Sequence, residues 1–330
     1  MADLATTYLG LELRNPLVIG ACSLTMDAKG VKKCADAGAG AVVLKSLFEE
    51  QIRMNSSGLD NSLAAEEQWH SEVFEYMEAD IGMQYGTREY LAVVSSCKES
   101  VDIPVIASIN CVSAEWWQEY ATEVAAAGAD ALELNIAIMP ETLTVTSEEI
   151  EERYVQIVQT AREAVDIPIA VKLGPYITSV PQLILRLRQA GGNGSVLFNR
   201  FYRPTIDPNK LCVTVDNPYS SPAELSVALR WISLLSGKIA TDFSAATGIH
   251  TGLDVARALL AGARTAQICS ALYMHGLPQI GRVLDELEQW METSGFATVA
   301  DARGKLSQHK NPGSELFGRC QYIKGLVGLE

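Results

Sequence analysis

The sequence has no run of roughly 20 uninterrupted apolar residues, the length that a bilayer-spanning helix needs. Its start, Met1-Ala-Asp-Leu-Ala-Thr6, lacks a basic segment followed by an apolar one, so no signal peptide is read there and a cytoplasmic protein is expected. Positive charge is also scarce, with 26 Lys and Arg against 40 Asp and Glu for a formal charge of −14. Nucleic-acid affinity depends on Lys and Arg neutralising phosphates, and no basic run offsets the deficit. The expected partner is therefore a small molecule, with neither nucleic acid nor membrane. The seven cysteines (22, 34, 97, 111, 212, 269 and 320) never form a Cys-x-x-Cys pair, so neither a disulfide framework nor a metal or iron–sulfur cluster is indicated.

What the sequence has is repetition. One joint recurs four times, as Ala37-Gly-Ala-Gly-Ala41, Ala127-Gly-Ala-Asp-Ala131, Ala190-Gly-Gly192 and Ala261-Gly-Ala263, each ending a helix and opening a strand. The strands that follow are short apolar runs, Val42–Lys45, Leu132–Asn135, Ser195–Asn199 and Thr265–Ser270, with polar residues at their ends, as expected for strands covered on both faces. A second joint, Val101-Asp-Ile-Pro-Val-Ile-Ala107, has a near copy in Val165-Asp-Ile-Pro-Ile-Ala-Val171, where proline stops a helix. The spacing predicts helices between them. Thr146-Ser-Glu-Glu149 is a capping box, followed by Ile150, Tyr154, Ile157, Val158 and Ala161 at helical intervals, and 114–127 and 252–260 read similarly.

Leu17–Ser23 and Lys238–Asp242 complete eight strands alternating with helices. The expected fold is α/β, a (β/α)8 TIM barrel, with residues 1–330 forming one domain. Two long stretches, Glu49–Gly86 and Arg200–Ser221, read as insertions on the C-terminal face that build a lid or wall.

In such a barrel the strand C-termini face one pocket, which collects Ser23, Lys45, Asn110, Asn135, Lys172, Asn199 and the backbone near Gly248 and Ser270. Asparagine offers a donor and an acceptor to the edge of a heterocycle such as an isoalloxazine, and a nearby lysine stabilises negative charge on a reduced flavin. The blander reading pairs each lysine with a carboxylate. Thr247-Gly-Ile-His-Thr-Gly252 and Cys269-Ser270 lie where barrels bind phosphate, through glycine and a helix N-terminus. His250 reads as an exposed loop histidine, while His70, His275 and His309 show no ligand spacing. Trp116, Trp117, Trp231 and Trp290 read as packing.

These blocks resemble the dihydroorotate dehydrogenase family and the related flavin domain of dihydropyrimidine dehydrogenases. The resemblance runs from about Leu9 to Leu306 and is carried by Asn15-Pro-Leu-Val-Ile-Gly-Ala-Cys-Ser23, Val43-Leu-Lys-Ser46, Ala107-Ser-Ile-Asn-Cys111, Gly128-Ala-Asp-Ala-Leu-Glu-Leu-Asn135, Ala170-Val-Lys-Leu173 and Gln267-Ile-Cys-Ser-Ala-Leu272. It implies flavin mononucleotide (FMN) as cofactor. Ala21, Cys22, Ser23, Lys45, Ser46, Asn110, Asn135, Lys172 and Asn199 would surround the ring and ribityl chain. Thr247, Gly248, Cys269 and Ser270 would hold the phosphate. It further implies an oxidoreductase acting on CH–CH bonds in pyrimidine metabolism, with Asn135 and Asn199 on the substrate, and a homodimer.

The family's catalytic loop usually reads Asn-Leu-Ser-Cys-Pro-Asn, and its cysteine, or a serine in relatives, removes a carbon-bound proton. Here it is Asn135-Ile-Ala-Ile-Met-Pro140, and Ile138 at the position of the base cannot accept a proton. Replacement candidates are Cys22, Lys45, Tyr202 and Tyr219. The segment that grips the substrate in the family is replaced by Ala79-Asp-Ile-Gly-Met83, a glycine pair before Pro222 by Asp216-Asn217, and a few residues look inserted between Asp242 and Thr247. Three functions follow: an FMN-dependent oxidoreductase passing hydride between flavin N5 and a small pyrimidine-like substrate, a flavin-binding protein without dehydrogenase turnover, or an aldolase-type lyase forming a Schiff base on Lys172.

Overall fold

A computed structural model describes residues 2–49, 87–112, 117–140, 142–200, 204–215 and 217–311. The chain opens with an antiparallel hairpin of β1 (Thr6–Tyr8) and β2 (Leu11–Leu13), which the sequence reading did not anticipate. Then come β3 (Leu17–Ile19), helix α1 (Ala28–Asp36), β4 (Ala41–Val43), the short β5 (Leu47–Phe48), α2 (Thr87–Ser100), β6 (Val105–Cys111) and α3 (Trp117–Ala126). The middle holds β7 (Ala131–Ile136), α4 (Ser147–Ala164), β8 (Ile169–Leu173), α5 (Val180–Gln189) and β9 (Gly194–Leu197). After a hairpin of β10 (Pro204–Asp207) and β11 (Cys212–Val215) follow α6 (Leu225–Leu235), β12 (Asp242–Ala245), α7 (Gly252–Ala261) and β13 (Thr265–Ile268). Helices α8 (Ser270–His275), α9 (Gln279–Ser294) and α10 (Val299–Ala302) complete the described chain.

The repeated joints have one physical cause. Each Ala-Gly joint places its glycine just past a helix in the left-handed region, at φ +112° for Gly38, +97° for Gly128, +105° for Gly191 and +121° for Gly262. Side chains with a Cβ avoid that region, so glycine ends the helix cleanly and turns the chain back toward the sheet. In the Ile-Pro joints the proline carbonyls of Pro104 and Pro168 accept from Val42 and Leu132, starting the strand ladders of β6 and β8. The capping box of Thr146 and Glu149 forms as the sequence predicts, the Glu149 N–H donating to Thr146 Oγ1 at 3.2 Å.

Strands β3, β4, β6, β7, β8, β9, β12 and β13 pair in parallel and close into an eight-stranded barrel, β13 returning to β3. The expected TIM barrel is therefore the observed fold. Its interior is filled by small and branched residues, among them Val18, Ala41, Val43, Ile106, Ala131, Ala170 and Val196. Tyr8, Leu9 and Leu13 of the N-terminal hairpin join this cluster and plug the barrel. Gly194 permits the plug, since a Cβ there would sit 2.6 Å from Leu9 Cδ2. A second cluster packs the outer strand faces against the helices, and Trp231 and Trp290 lie partly buried at its edge.

One strand was misplaced in register. The sequence reading put the seventh barrel strand at Lys238–Asp242, whereas it runs Asp242–Ala245. Gly237, at φ +79°, and a bridge between Ser236 and Ile239 spend the earlier residues in a turn. Asp242 opens the strand because its carboxylate accepts the Leu9 N–H at 2.8 Å and pairs with Arg264. The residues between Asp242 and Thr247 that look inserted belong to this strand and its end. Most of the 49–86 insertion, Ala79–Met83, Trp116, Tyr202, Asp216, His70 and Cys320 lie outside the described residues. Among the described residues no helix is long and apolar enough to cross a membrane.

Candidate active site

A cavity of about 710 Å3 opens at the C-terminal ends of the barrel strands. That is the size of small-molecule sites generally. Every cofactor-binding residue expected from the sequence lines it: Ala21, Cys22 and Ser23 after β3, Lys45 and Ser46 after β4, Asn110 on β6, Asn135 on β7, Lys172 on β8, Asn199 after β9, Thr247 and Gly248 after β12, and Cys269 and Ser270 after β13.

Lys172 is the best anchored of these. It is 8% exposed, donates to Gln267 Oε1 at 3.0 Å and lies 3.6 Å from Glu133 Oε1, while Gln267 Nε2 donates to Glu133 Oε2 at 2.5 Å. Glu133 is 1% exposed, in the middle of β7. The sequence reading, which placed polar residues only at strand ends, missed both Glu133 and Gln267. In a barrel, alternate strand residues point inward, and an apolar run with one carboxylate in its middle is the available signal. The ion pair holds a positive charge at the barrel mouth in a water-poor setting. Beside it Asn199 Nδ2 donates to Asn135 Oδ1 at 2.9 Å, fixing both amides, and Ser46 and Ser108 share a hydrogen bond of 2.8 Å.

The loop after β7 has the opposite character. Ala137 lines the cavity, Ile138 packs half-buried against the hydrophobic core and Met139 is exposed. The Tyr154 hydroxyl pins this segment by donating to Ile136 O at 3.3 Å. From Asn135 to Pro140 there is no side chain that titrates.

At the β12 end, Thr247 and Gly248 are both left-handed, at φ +68° and +85°. A branched residue in this region is strained, and such strain collects at functional sites. Thr247 Oγ1 donates to Phe198 O at 2.8 Å, and at Gly248 a Cβ would meet Leu225 N at 2.6 Å. The backbone N–H of Gly248 donates to Ser220 Oγ at 3.3 Å, and Ser220 Oγ bonds His250 Nε2 at 3.1 Å. His250 is thus buried, not the exposed loop residue the sequence suggested. Burial pushes its pKa below the ordinary value, with Asp254 opposing. The start of α7 is also not free for phosphate. Its first N–H groups go to carboxylates, Thr251 N to Asp254 Oδ2 at 2.9 Å and Gly252 N to Glu286 Oε2 at 2.7 Å.

Tyr219, a candidate base, lines the cavity and stacks on Tyr273, with ring centroids 6.1 Å apart. Tyr273 and Ser220 were not anticipated. Ser23 engages the Tyr273 hydroxyl through its N–H at 2.9 Å and its Oγ at 2.6 Å.

The residues present suit FMN. Gly20, Ala21, Ala137 and Ala246 line the cavity with nothing larger than a methyl group, leaving room for a flat ring beside Lys45, Lys172 and the three asparagines. The Ser270 hydroxyl, which accepts the Ser220 N–H at 3.0 Å and keeps its own proton to donate, offers a polar group for a phosphate.

A family model described as dihydroorotate dehydrogenase matches residues 3–291. The chain belongs to this family. It is 27% identical over 301 residues to the catalytic subunit of dihydroorotate dehydrogenase B (NAD(+)) of Pyrococcus furiosus, covering 89% of this chain and 96% of that one. It is 26% identical over 332 residues to the PreA subunit of NAD-dependent dihydropyrimidine dehydrogenase from Escherichia coli, covering 95% and 79%. It is 23% identical over 349 residues to the chloroplastic dihydropyrimidine dehydrogenase (NADP(+)) of Arabidopsis thaliana, covering 96% and 80%.

Proposed function

We propose that this member of the family is an FMN-dependent oxidoreductase acting on a small pyrimidine-like substrate. The observation that carries it is the convergence of Lys45, Lys172, Asn110, Asn135 and Asn199 on one cavity at the barrel mouth. When bound, FMN supplies a two-electron hydride acceptor or donor at N5. Lys172, held by Glu133 and Gln267, presents a fixed positive charge to the cofactor ring. Lys45 would bear on the same ring. The coupled amides of Asn135 and Asn199 orient the substrate. A homodimer in the cytoplasm, acting in pyrimidine metabolism, is the setting this reading expects.

Ile138 favours a second reading, a flavin-binding protein without dehydrogenase turnover, because the loop after β7 offers no proton acceptor. The lyase reading loses ground: Schiff-base formation needs a neutral amine free to attack, and Lys172 is engaged by a carboxylate and an amide. The test is the visible spectrum of freshly purified protein, followed by identification of any released chromophore. Oxidised-flavin bands with FMN released support the first two readings, and substrate screening then separates them. A colourless protein that takes up no added FMN overturns both.

A further inference from the structure

The barrel has a second concave surface, at the end opposite the cavity. A cleft of about 650 Å3 opens beside the β1–β2 plug. It lies at the N-terminal ends of the strands, lined by Leu9 and Gly10 of the hairpin turn, Asn193 before β9, Asp242 at the start of β12 and Arg264 before β13. Its charge is the reverse of the chain's. Four cations, Arg188, Arg264, Arg303 and Lys310, line it against one carboxylate, Asp242, in a protein of formal charge −14.

Structural duties account for three of the four. Arg188, in the last turn of α5, donates to Ala240 O at 2.7 Å. Arg264 pairs with Asp242 and donates to Thr7 Oγ1 at 2.8 Å, and Lys310 Nζ donates to Arg303 O at 2.9 Å. Asp242 is committed as well, since it also accepts the Leu9 N–H at 2.8 Å. Arg303 is the exception. Among the described residues its guanidinium has no hydrogen-bond acceptor and no ion-pair partner. The backbone delivers it to the cleft: Gly304, at φ +70°, donates its N–H to Leu259 O at 2.8 Å, which docks the segment after α10 on α7. Burial and Arg264 push the Arg303 pKa below its ordinary value, with Asp242 opposing. A guanidinium set beside a like charge without an acceptor is electrostatically unfavourable, and an oxyanion shared by the two would remove the repulsion.

We propose that this cleft binds a small phosphorylated anion through Arg303, together with Arg264, Arg188 and Lys310. The excess of three positive charges fits a diphosphate or a doubly phosphorylated molecule, since one phosphoryl group carries about −1.5 to −2 near neutral pH. Guanidinium groups meet phosphate oxygens in bidentate pairs, and Gly10, Gly237 and Gly304 leave the surrounding backbone bare for close approach. The volume is that of an ordinary small-molecule site and leaves room for an organic group beside the phosphates. β12 separates the cleft from the cavity, running from Asp242 in the first to Ala245, next to the Ala246 that lines the second. The site therefore stands apart from the cofactor reading.

The probe is inorganic pyrophosphate, titrated by calorimetry into the protein as purified at about 0.15 M ionic strength. One pyrophosphate per chain is expected, with a dissociation constant below about 1 mM. Arg303→Gln should weaken it about tenfold, the loss of a charged hydrogen bond, and leave the urea midpoint without pyrophosphate unchanged, because that guanidinium bonds nothing in the protein. Arg282→Gln, which removes an exposed arginine of α9 outside the cleft, should bind as wild type does. Lys310 reads the site without a variant. At about four times the dissociation constant, pyrophosphate should slow acetylation of Lys310 by an N-hydroxysuccinimide ester about fivefold and spare the exposed Lys32. Absence of saturable binding overturns the site, and so does an unprotected Lys310. Undiminished binding by Arg303→Gln would move the anion elsewhere, equal weakening by Arg282→Gln would reduce it to general charge, and a lowered urea midpoint in Arg303→Gln would make Arg303 a structural cation; each overturns the assignment. The chromophore spectrum, recorded on the same sample, reports separately on FMN.

Discussion

The two sides of the cavity are built on opposite principles. Around β8 and β13 the side chains are polar, buried and mutually bonded, with Lys172, Glu133 and Gln267 forming one unit. Immediately beyond Glu133 on the same strand, the loop after β7 is apolar and offers neither acid nor base, Ile138 packing half-buried against the hydrophobic core. The first side is costly to alter, because each member leaves a buried partner unsatisfied. The second is cheap to alter, because nothing in it depends on a specific hydrogen bond beyond the Tyr154 tether. The difference shows that one cavity can combine a rigid, mutually bonded polar group with a neighbouring loop that carries no titrating side chain.

The largest effect should come from the bonded side. Lys172→Met leaves the Glu133 carboxylate buried without a cation, which costs about 3–5 kcal/mol of stability. Urea midpoints measure it, and Glu133→Gln added to Lys172→Met should recover much of the loss. If Lys172→Met alone is neutral, the ion pair does not hold this side together.

Next comes the loop. Restoring a thiol with Ile138→Cys should raise turnover of dihydroorotate by about 100-fold, the lower end of what a positioned general base contributes. Rapid turnover by wild type in the same assay would show that the proton leaves by another route. Because Ile138 is only half-buried, stability should move far less than in Lys172→Met.

Much of this comparison could be read from the sequence, and the reasons for the gaps are physical. The Ala-Gly and Ile-Pro joints were legible because backbone conformation restricts them to glycine and proline, and the strand-end Lys and Asn residues because a parallel barrel forces strand ends together. The register of β12 was not, since Gly237 and the Asp242–Arg264 pair that set it depend on contacts distant in sequence. His250 looked exposed because its burial comes from Ser220, 30 residues away, and from the α9 residue Gln279, whose amide donates to His250 O at 3.0 Å. Glu133 was hidden by its apolar neighbours.

A smaller effect tests the Thr247–Gly248 corner. Ser220→Ala removes the hydroxyl that bonds His250 Nε2 and accepts the Gly248 N–H, leaving two buried groups unpaired at a cost of about 1–2 kcal/mol.

The smallest effect is the pH response of that same corner. His250 has a folded-state pKa below its ordinary value of 6.5, with burial as the main cause. The unfolded chain therefore binds a proton more readily. The contribution of His250 is fully present above pH 6.5 and is lost as pH falls through the depressed folded value. Asp254, the bond to Ser220 and Glu224 pull the pKa up, while His275 adds to the burial effect, so the opposing influences leave this the smallest of the expected effects. Urea midpoints compared at about pH 7 and about pH 5 should fall more steeply in wild type than in His250→Gln, which carries no titrating ring. Equal slopes would mean that His250 takes up its proton as easily in the fold as in water, and that the corner is open to solvent in a way the buried Ser220–His250 bond does not allow.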